Sequence, residues 1–145
     1  MNRTELVRKM RAAAGQVLES KGYLSVVDVL LAMGRLSREN HERWRFRQVP
    51  HLEKVLPGSL AEHTFFRHEL RAFARELNLK PSRTVYTSWG KGPRQPLRFS
   101  KSGAPHVEEQ FSTHYVSPDI TERQKARRTH APAAVEPIVT ESTQP

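Results

Sequence analysis

The stretch at residues 59–77, SLAEHTFFRHELRAFAREL, carries the clearest helical pattern in the chain. Ser59 followed three residues later by Glu62 is a capping box, in which two side chains satisfy backbone N–H groups at a helix start. Apolar residues then recur at intervals of four, three and four, as on one face of a helix. We predict that this face is buried and that a basic face lies opposite it. The apolar face is Phe66, Leu70, Phe73 and Leu77, and the basic face is His63, Arg67, Arg71 and Arg75.

Three more helices are predicted on the N-terminal side of this stretch. Residues 3–20 place apolar and small side chains at intervals of three and four, which is typical of an amphipathic helix. Ser25 begins a second, short helix that ends at Gly34, because glycine readily adopts the left-handed conformation of a helix end. Ser37 begins a third helix, in which we expect Trp44 to be a buried anchor.

The C-terminal side changes to a strand-like pattern. Residues 84–89 are rich in β-branched and aromatic side chains, and residues 96–100 resume that pattern after a loop with glycine and proline. We predict one β-hairpin at about residues 83–100, with Lys91 and Arg94 in its loop. A last short helix is expected within residues 105–115. The predicted fold class is therefore mainly α with one β-hairpin, an α+β arrangement.

The second and third helices resemble a helix-turn-helix, in which the later helix enters a DNA groove. With the basic hairpin after them, the order of elements is winged-helix-like, although the helix at residues 59–77 lies in between. Helical hairpins with a glycine turn also occur in proteins that do not bind DNA, so this pattern alone does not select a function. The side chains that would face a groove are Arg38, His41, Arg45 and Gln48.

Residues 1–116 are predicted to form one domain, and residues 117–145 a disordered tail. A length of 145 residues suits one ordinary domain with an extension. After residue 116 the chain has no aromatic residue and four prolines, which is typical of segments that cannot bury a core. The four basic and four acidic residues of the tail cancel, so the formal charge of +9 belongs to residues 1–116.

The composition excludes several classes of protein. The chain has no cysteine, which excludes disulfides, thiolate catalysis and cysteine-based zinc sites. It has no long apolar run and no apolar segment of the secretory-signal kind at its N-terminus, so we expect a cytoplasmic protein that does not insert in a membrane. The sequence pI of about 10.5 is in the range typical of nucleic-acid-binding domains when the charge is clustered.

The charge is clustered in an acid-free interval between Glu76 and Glu108. Cations in this interval alternate with aromatic residues. Cations neutralise phosphates, and flat aromatic faces stack on bases with about 1–3 kcal/mol per base. Trp89 and Tyr86 are candidates for such stacking, although a hairpin aromatic can equally pack on the protein's own core. The cations are Lys80, Arg83, Lys91, Arg94, Arg98 and Lys101.

These observations predict a nucleic-acid interface formed by the hairpin and the basic helix face. The predicted interface is Arg67, Arg71, Tyr86, Trp89, Lys91, Arg94, Arg98 and Lys101. No catalytic residue, metal ligand or cofactor is predicted, because the seven histidines are scattered and no acid pair frames them.

A phosphate-binding loop is excluded by spacing at residues 89–103, WGKGPRQPLRFSKSG. Lys91 is followed by Gly92 and then by a strand pattern, whereas a Walker loop continues into a helix. An alternative is that residues 100–103 bind one phosphate through backbone amides and the Lys101 side chain.

Several short motifs together resemble a group of small bacterial proteins that have no established activity. The likeness covers about residues 20–116 and implies a bacterial origin and a single domain that ends near Val116. It implies no catalytic residue. The motifs are WRF at 44–46, HLEKV at 51–55, LKPS at 79–82, WG at 89–90, LRFSKSG at 97–103 and THYV at 113–116.

The sequence therefore favours a non-catalytic protein that binds DNA or RNA. One alternative is a protein-interaction adaptor or regulator that docks on an acidic partner through the same surface. A third is an enzyme acting on a phosphorylated substrate, which would need a concave pocket joining Ser100, Lys101 and His114.

Overall fold

The computed structural model of the protein describes residues 2–118, which form five α-helices, one 3-10 turn and three short strands. This confirms the predicted mainly helical α+β class. The helical elements are α1 (Arg3–Lys21), α2 (Val26–Met33), α3 (Arg38–Arg45), the 3-10 turn (Leu52–Val55), α4 (Leu60–Glu76) and α5 (Pro105–Ser112). The strands are β1 (Tyr23–Leu24), β2 (Lys80–Ser82) and β3 (His114–Val116). The predicted disordered tail, residues 117–145, lies outside the described residues except for its first two.

Side-chain caps begin the first four α-helices. The side-chain oxygens of Asn2, Ser25, Ser37 and Ser59 each accept a hydrogen bond from the backbone N–H three residues further on. Gly34 ends α2 with a φ of 76°, which is the left-handed conformation expected there. The three predicted serine caps are thus confirmed, and α2, the turn and α3 follow the predicted helix-turn-helix order.

The buried face of α4 differs from the predicted one. Phe73 is only partly buried and Leu77 is exposed, whereas Arg67 is buried. The Arg11 guanidinium lies 4.6 Å from the centre of the Phe73 ring, and that of Arg67 lies 4.6 Å from the centre of the Phe111 ring. Such cation–π contacts stabilise Phe73 in a partly buried position and Arg67 in a buried one. The buried residues of α4 are His63, Phe66, Arg67, Leu70 and Ala74.

A three-stranded antiparallel sheet, in the order β1, β3, β2, joins distant parts of the chain. Tyr23 of β1 and Lys80 of β2 both lie opposite Val116 of the central strand. The sheet was not predicted, because strands of two or three residues are too short to show an alternating pattern. Pro81 is accommodated because β2 is an edge strand.

The predicted hairpin is present, with a short stretch of backbone pairing. Within residues 83–100, a single bridge joins Thr87 to Pro96, and Ser88 donates from its backbone N–H to the Gln95 carbonyl at 2.8 Å. The predicted hairpin is therefore confirmed, and its pairing stays short because proline has no N–H with which to continue a ladder. Tyr86 and Phe99, one from each segment, also pack edge-to-face with 5.2 Å between ring centres.

Those rings form the centre of the core. Trp44 packs 5.1 Å from Phe99 and 5.7 Å from Tyr86, and Phe99 stacks 5.3 Å from Phe111, all measured between ring centres. The Trp44 indole N–H donates to the Arg98 carbonyl at 2.8 Å, which satisfies the polar end of the buried ring. The buried anchor predicted at Trp44 is confirmed.

Across residues 2–118, no helix has the length and apolar character needed to cross a membrane.

Candidate nucleic-acid interface

The four hairpin cations of the predicted interface are exposed but lie in two different places. Lys91 and Arg94 are in the tip, where one Arg94 Nη donates to the Ser88 carbonyl at 3.1 Å. Arg98 and Lys101 lie beside the 3-10 turn, because the Arg98 carbonyl accepts from the Leu52 N–H at 3.2 Å. The tip pair and the pair beside the 3-10 turn therefore contact different parts of the protein.

The tip docks on the C-terminal end of α3. The Trp89 backbone N–H donates to the Arg45 carbonyl at 2.8 Å. Gly90 follows with a φ of 106°, and a β-carbon at this position would lie 3.4 Å from the Phe46 ring. Glycine is favoured here by its backbone conformation, since residues with a side chain rarely adopt this φ.

Arg45 is buried beneath the docked tip, with 2% of its surface exposed. Its guanidinium lies 4.8 Å from the ring centres of both Tyr86 and Trp89, and it donates to the Thr87 carbonyl at 3.2 Å. The prediction that Arg45 faces a nucleic-acid groove is therefore wrong. The residue instead fixes the position of Trp89 by cation–π contact.

His41 supports this arrangement as a neutral imidazole. Burial, together with the nearby Arg45 charge, lowers the pKa of His41 to about 4. Its Nε2 can therefore accept a hydrogen bond from the Arg45 Nε, at 3.3 Å. The His41 ring also packs edge-to-face on Trp89, with 5.3 Å between ring centres.

An open groove of about 400 Å³ lies between the end of α3 and the tip. Phe46 is 44% exposed in it and meets Trp89 edge-to-face, with 5.9 Å between ring centres. Trp89 is partly exposed, and its buried indole N–H has no hydrogen-bond partner among residues 2–118. Trp89 thus packs on the protein and lines the groove at the same time. The lining residues are Arg38, His41, Glu42, Phe46 and Trp89.

Tyr86 does not reach the groove surface. It is 2% exposed, and its hydroxyl lies 2.8 Å from the Nε2 of His114, which is itself fully buried. No base can stack on a ring packed in this way. The prediction that Tyr86 stacks on a base is therefore wrong, and the residue is part of the core.

Arg67 and Arg71, which were predicted to belong to one surface, lie in different environments. Arg67 is 6% exposed and its Nε donates to the Gln110 side-chain oxygen at 3.0 Å, so it cannot extend a surface. Arg71 is exposed one helical turn later, where it lines a second cavity together with Arg75. The predicted basic face of α4 is thus divided between the core and this cavity.

The segment at residues 99–103 is closed by carboxylates. Glu108 accepts from the backbone N–H groups of Phe99 and Ser100 at 2.9 and 2.7 Å, and from the Ser100 hydroxyl at 2.6 Å. Glu53 accepts from the Lys101 N–H at 3.0 Å. The amides that would bind a phosphate are therefore occupied, which makes the alternative of a phosphate loop at residues 100–103 wrong.

The residues named for an enzyme acting on a phosphorylated substrate are not joined by any of the cavities described here. Ser100 and His114 are both buried, and neither lines a described cavity. Within residues 2–118, no group of three or more histidine and acidic side chains could hold a metal ion.

No protein-family model, curated protein or solved structure matches the chain. The resemblance to small bacterial proteins stays a prediction. Sequence reasoning did not identify Phe46 as part of the interface. The alternation of aromatic and basic residues at 44–47, WRFR, is the pattern that could have indicated an exposed ring among cations.

Proposed function

We propose that the protein binds single-stranded nucleic acid, without catalysis, in the groove between α3 and the hairpin tip. The observation that carries the proposal is the exposed ring of Phe46 beside Trp89, in an open groove flanked by cations. A cytoplasmic location is part of the same proposal. Whether the strand is DNA or RNA is decided by the experiment below.

Stacking explains why an unpaired strand suits this groove better than a duplex. Bases of a single strand are free to lie against aromatic side chains, and each such contact contributes about 1–3 kcal/mol. Phe46 is the ring with an exposed face, and Trp89 is held beside it by Arg45 and His41. A platform that is already ordered loses little conformational entropy when a base binds.

Cations near the groove provide contacts for the phosphates. Arg38 lines the groove, and Lys91 lies in the exposed tip that packs against Phe46. Arg43 and Arg47, at the end of α3, are also exposed. Such charges attract any strand regardless of sequence and make the affinity depend on salt.

Fluorescence anisotropy of short labelled strands, titrated across salt concentrations, tests the proposal. The four ligands are single-stranded DNA, single-stranded RNA and the two corresponding duplexes. We expect the single strands to bind more tightly. Lys91→Ala should reduce the log–log salt slope by about 0.7, the value for one phosphate contact on a single strand. Phe46→Ala should weaken binding about tenfold and leave the slope unchanged, since stacking is worth about 1–3 kcal/mol per base.

Arg8→Ala is the matched control for lost charge. Arg8 is exposed on α1, a helix that packs on α2 and α4. Equal loss of affinity in Arg8→Ala and Lys91→Ala would assign the binding to net charge alone. The proposal fails if no strand binds in a salt-dependent way, and docking on an acidic protein then becomes the better account of the same surface.

A further inference from the structure

A second cavity, of about 430 Å³, lies apart from the groove. It is formed by α4, the segment containing β2, and the helix–strand pair α5 and β3. None of its lining residues lines the groove between α3 and the tip. The polar side chains that line it include Arg71, Arg75, His106, Glu109, Gln110 and Tyr115.

The cavity carries two arginines that have no partner within the described part of the chain. Arg71 and Arg75 are four residues apart on α4 and are both exposed, so their guanidinium groups belong to the same helix face. Their charges reach Tyr115: burial raises the pKa of the Tyr115 phenol, and Arg71 and Arg75 oppose that rise. Two arginines without carboxylate partners are a common arrangement for binding an anion.

Glu109 does not cancel this charge. Its carboxylate lies 2.7 Å from the guanidinium of Arg83, an exposed residue that does not line the cavity, so the acid already has a cation as its partner. Arg71 and Arg75 therefore leave the cavity positive.

The remaining polar wall presents hydrogen-bond donors. The Gln110 side-chain oxygen accepts from Arg67, which leaves the amide NH₂ as the free end of that side chain. The Tyr115 phenol is a donor as well, so the wall offers two guanidinium groups, an amide and a hydroxyl. Arg67 is here a positioning residue, since it orients Gln110 from within the core. A set of donors with excess positive charge is complementary to phosphate oxygens.

The volume indicates a ligand larger than a phosphate ion. Small-molecule sites have volumes of about 300–1,000 Å³ and combine apolar walls with a few polar groups. Leu79, Pro81 and the Tyr115 ring provide the apolar wall here. We propose that this cavity binds a phosphomonoester of about nucleotide size, with its phosphate between Arg71 and Arg75 and its organic part on the apolar wall.

Isothermal titration calorimetry of the full chain tests the site with three probes: inorganic phosphate, adenosine 5′-monophosphate and adenosine. We expect the monophosphate to bind most tightly and adenosine to bind at least tenfold more weakly. Arg71→Ala combined with Arg75→Ala should weaken monophosphate binding at least tenfold. Tyr115→Phe, which removes one hydroxyl and keeps the ring, should weaken it several-fold.

Arg8→Ala combined with Lys54→Ala removes the same charge from exposed positions that line neither the cavity nor the groove, and it should leave monophosphate affinity unchanged. The proposal is overturned if none of the three probes binds, if adenosine binds as tightly as its monophosphate, or if the control pair weakens binding equally. A single strand with a 5′-phosphate, compared with the 5′-hydroxyl strand, separates the two sources of a phosphomonoester. A preference for the phosphorylated strand that disappears in the Arg71/Arg75 variant assigns the site to strand ends, and no preference assigns it to a free small molecule.

Failure here is distinguishable from failure of the proposed nucleic-acid binding. The Arg71/Arg75 variant should bind 5′-hydroxyl strands as the unmodified protein does, and Phe46→Ala should bind the monophosphate normally.

Discussion

Arg45 lies inside the protein with its guanidinium between aromatic rings. Trp44, Tyr86 and Trp89 all have ring centres within 5.5 Å of it, and the Thr87 carbonyl accepts one of its hydrogen bonds. Burial of a cation is costly unless ring faces and acceptors replace water. A planar guanidinium can stack on several rings and donate in its own plane, which a lysine ammonium cannot do. The position therefore depends on arginine.

Arg45→Lys should lower the free energy of unfolding by about 2–4 kcal/mol, because the lysine loses the stacked geometry while its charge stays buried. Urea unfolding monitored by circular dichroism measures the change. Arg43→Lys is the matched control, since Arg43 is exposed, donates to Asn40 on the same helix, and should change stability by less than about 0.5 kcal/mol. Equal midpoints for the two variants would contradict the structural role of Arg45.

The segment at residues 99–103 is stabilised by side chains from two other elements. Glu108 of α5 accepts three hydrogen bonds from Phe99 and Ser100, and Glu53 of the 3-10 turn accepts one from Lys101. On the other side, the Arg98 Nε donates to the Ser100 carbonyl at 2.8 Å. Carboxylates bind backbone N–H groups strongly, so these hydrogen bonds stabilise a segment that has no regular secondary structure.

Glu108→Gln should open this segment, because the amide has a single acceptor oxygen where the carboxylate uses both. We expect a loss of about 2 kcal/mol of stability from unsatisfied N–H groups. Hydrogen exchange of residues 99–103 should become faster. Glu109→Gln changes the neighbouring glutamate in the same way, and its exposed pair with Arg83 should contribute less than about 1 kcal/mol. If exchange at residues 99–103 is no faster in Glu108→Gln than in Glu109→Gln, Glu108 does not close this segment.

His114 joins three parts of the whole molecule. It lies in the central strand β3, stacks on Tyr23 of β1 with 4.7 Å between ring centres, and contacts the Tyr86 hydroxyl in the hairpin. Burial lowers the pKa of His114 to about 4, well below its ordinary value of 6.5. The ring is therefore neutral in the folded protein at pH values where an unfolded chain would begin to protonate it.

Global stability should consequently fall as the pH drops from about 6.5 to about 4. In that window the unfolded chain binds a proton at His114 that the folded protein does not bind, so acid favours unfolding; below about 4 the effect levels off. The contribution of His114 is about 3 kcal/mol over the window. His41, whose pKa is also lowered to about 4, acts in the same direction.

His114→Gln should reduce this pH dependence, measured as the free energy of urea unfolding at pH 7 and at pH 4.5. The variant is expected to be less stable at pH 7, and the informative quantity is the difference between the two pH values. His68→Gln is the control, because the His68 ring is exposed and its removal should leave the difference unchanged. An unchanged difference in His114→Gln would show that another group carries the effect.

The helices and their starts could be predicted from the sequence. Ser25, Ser37 and Ser59 act through N–H groups only three residues away, and Gly34 acts through its own backbone. Local interactions of this kind are visible in any short window of the chain. The acid-free interval and its basic tip were likewise evident, because charge is a property of composition.

Tertiary structure decided which basic and aromatic residues can meet a ligand. The type of side chain did not reveal that Arg45 and Arg67 are buried, because each depends on rings and acceptors supplied by distant segments. The short sheet and the carboxylates of Glu53 and Glu108 also depend on contacts between residues far apart in sequence. The sequence by itself thus determined helical segments, caps and net charge, whereas packing determined the groove at Phe46 and Trp89 and the cavity at Arg71 and Arg75. Local hydrogen bonds and composition act over a few residues, but a surface is made only when separate elements are brought together.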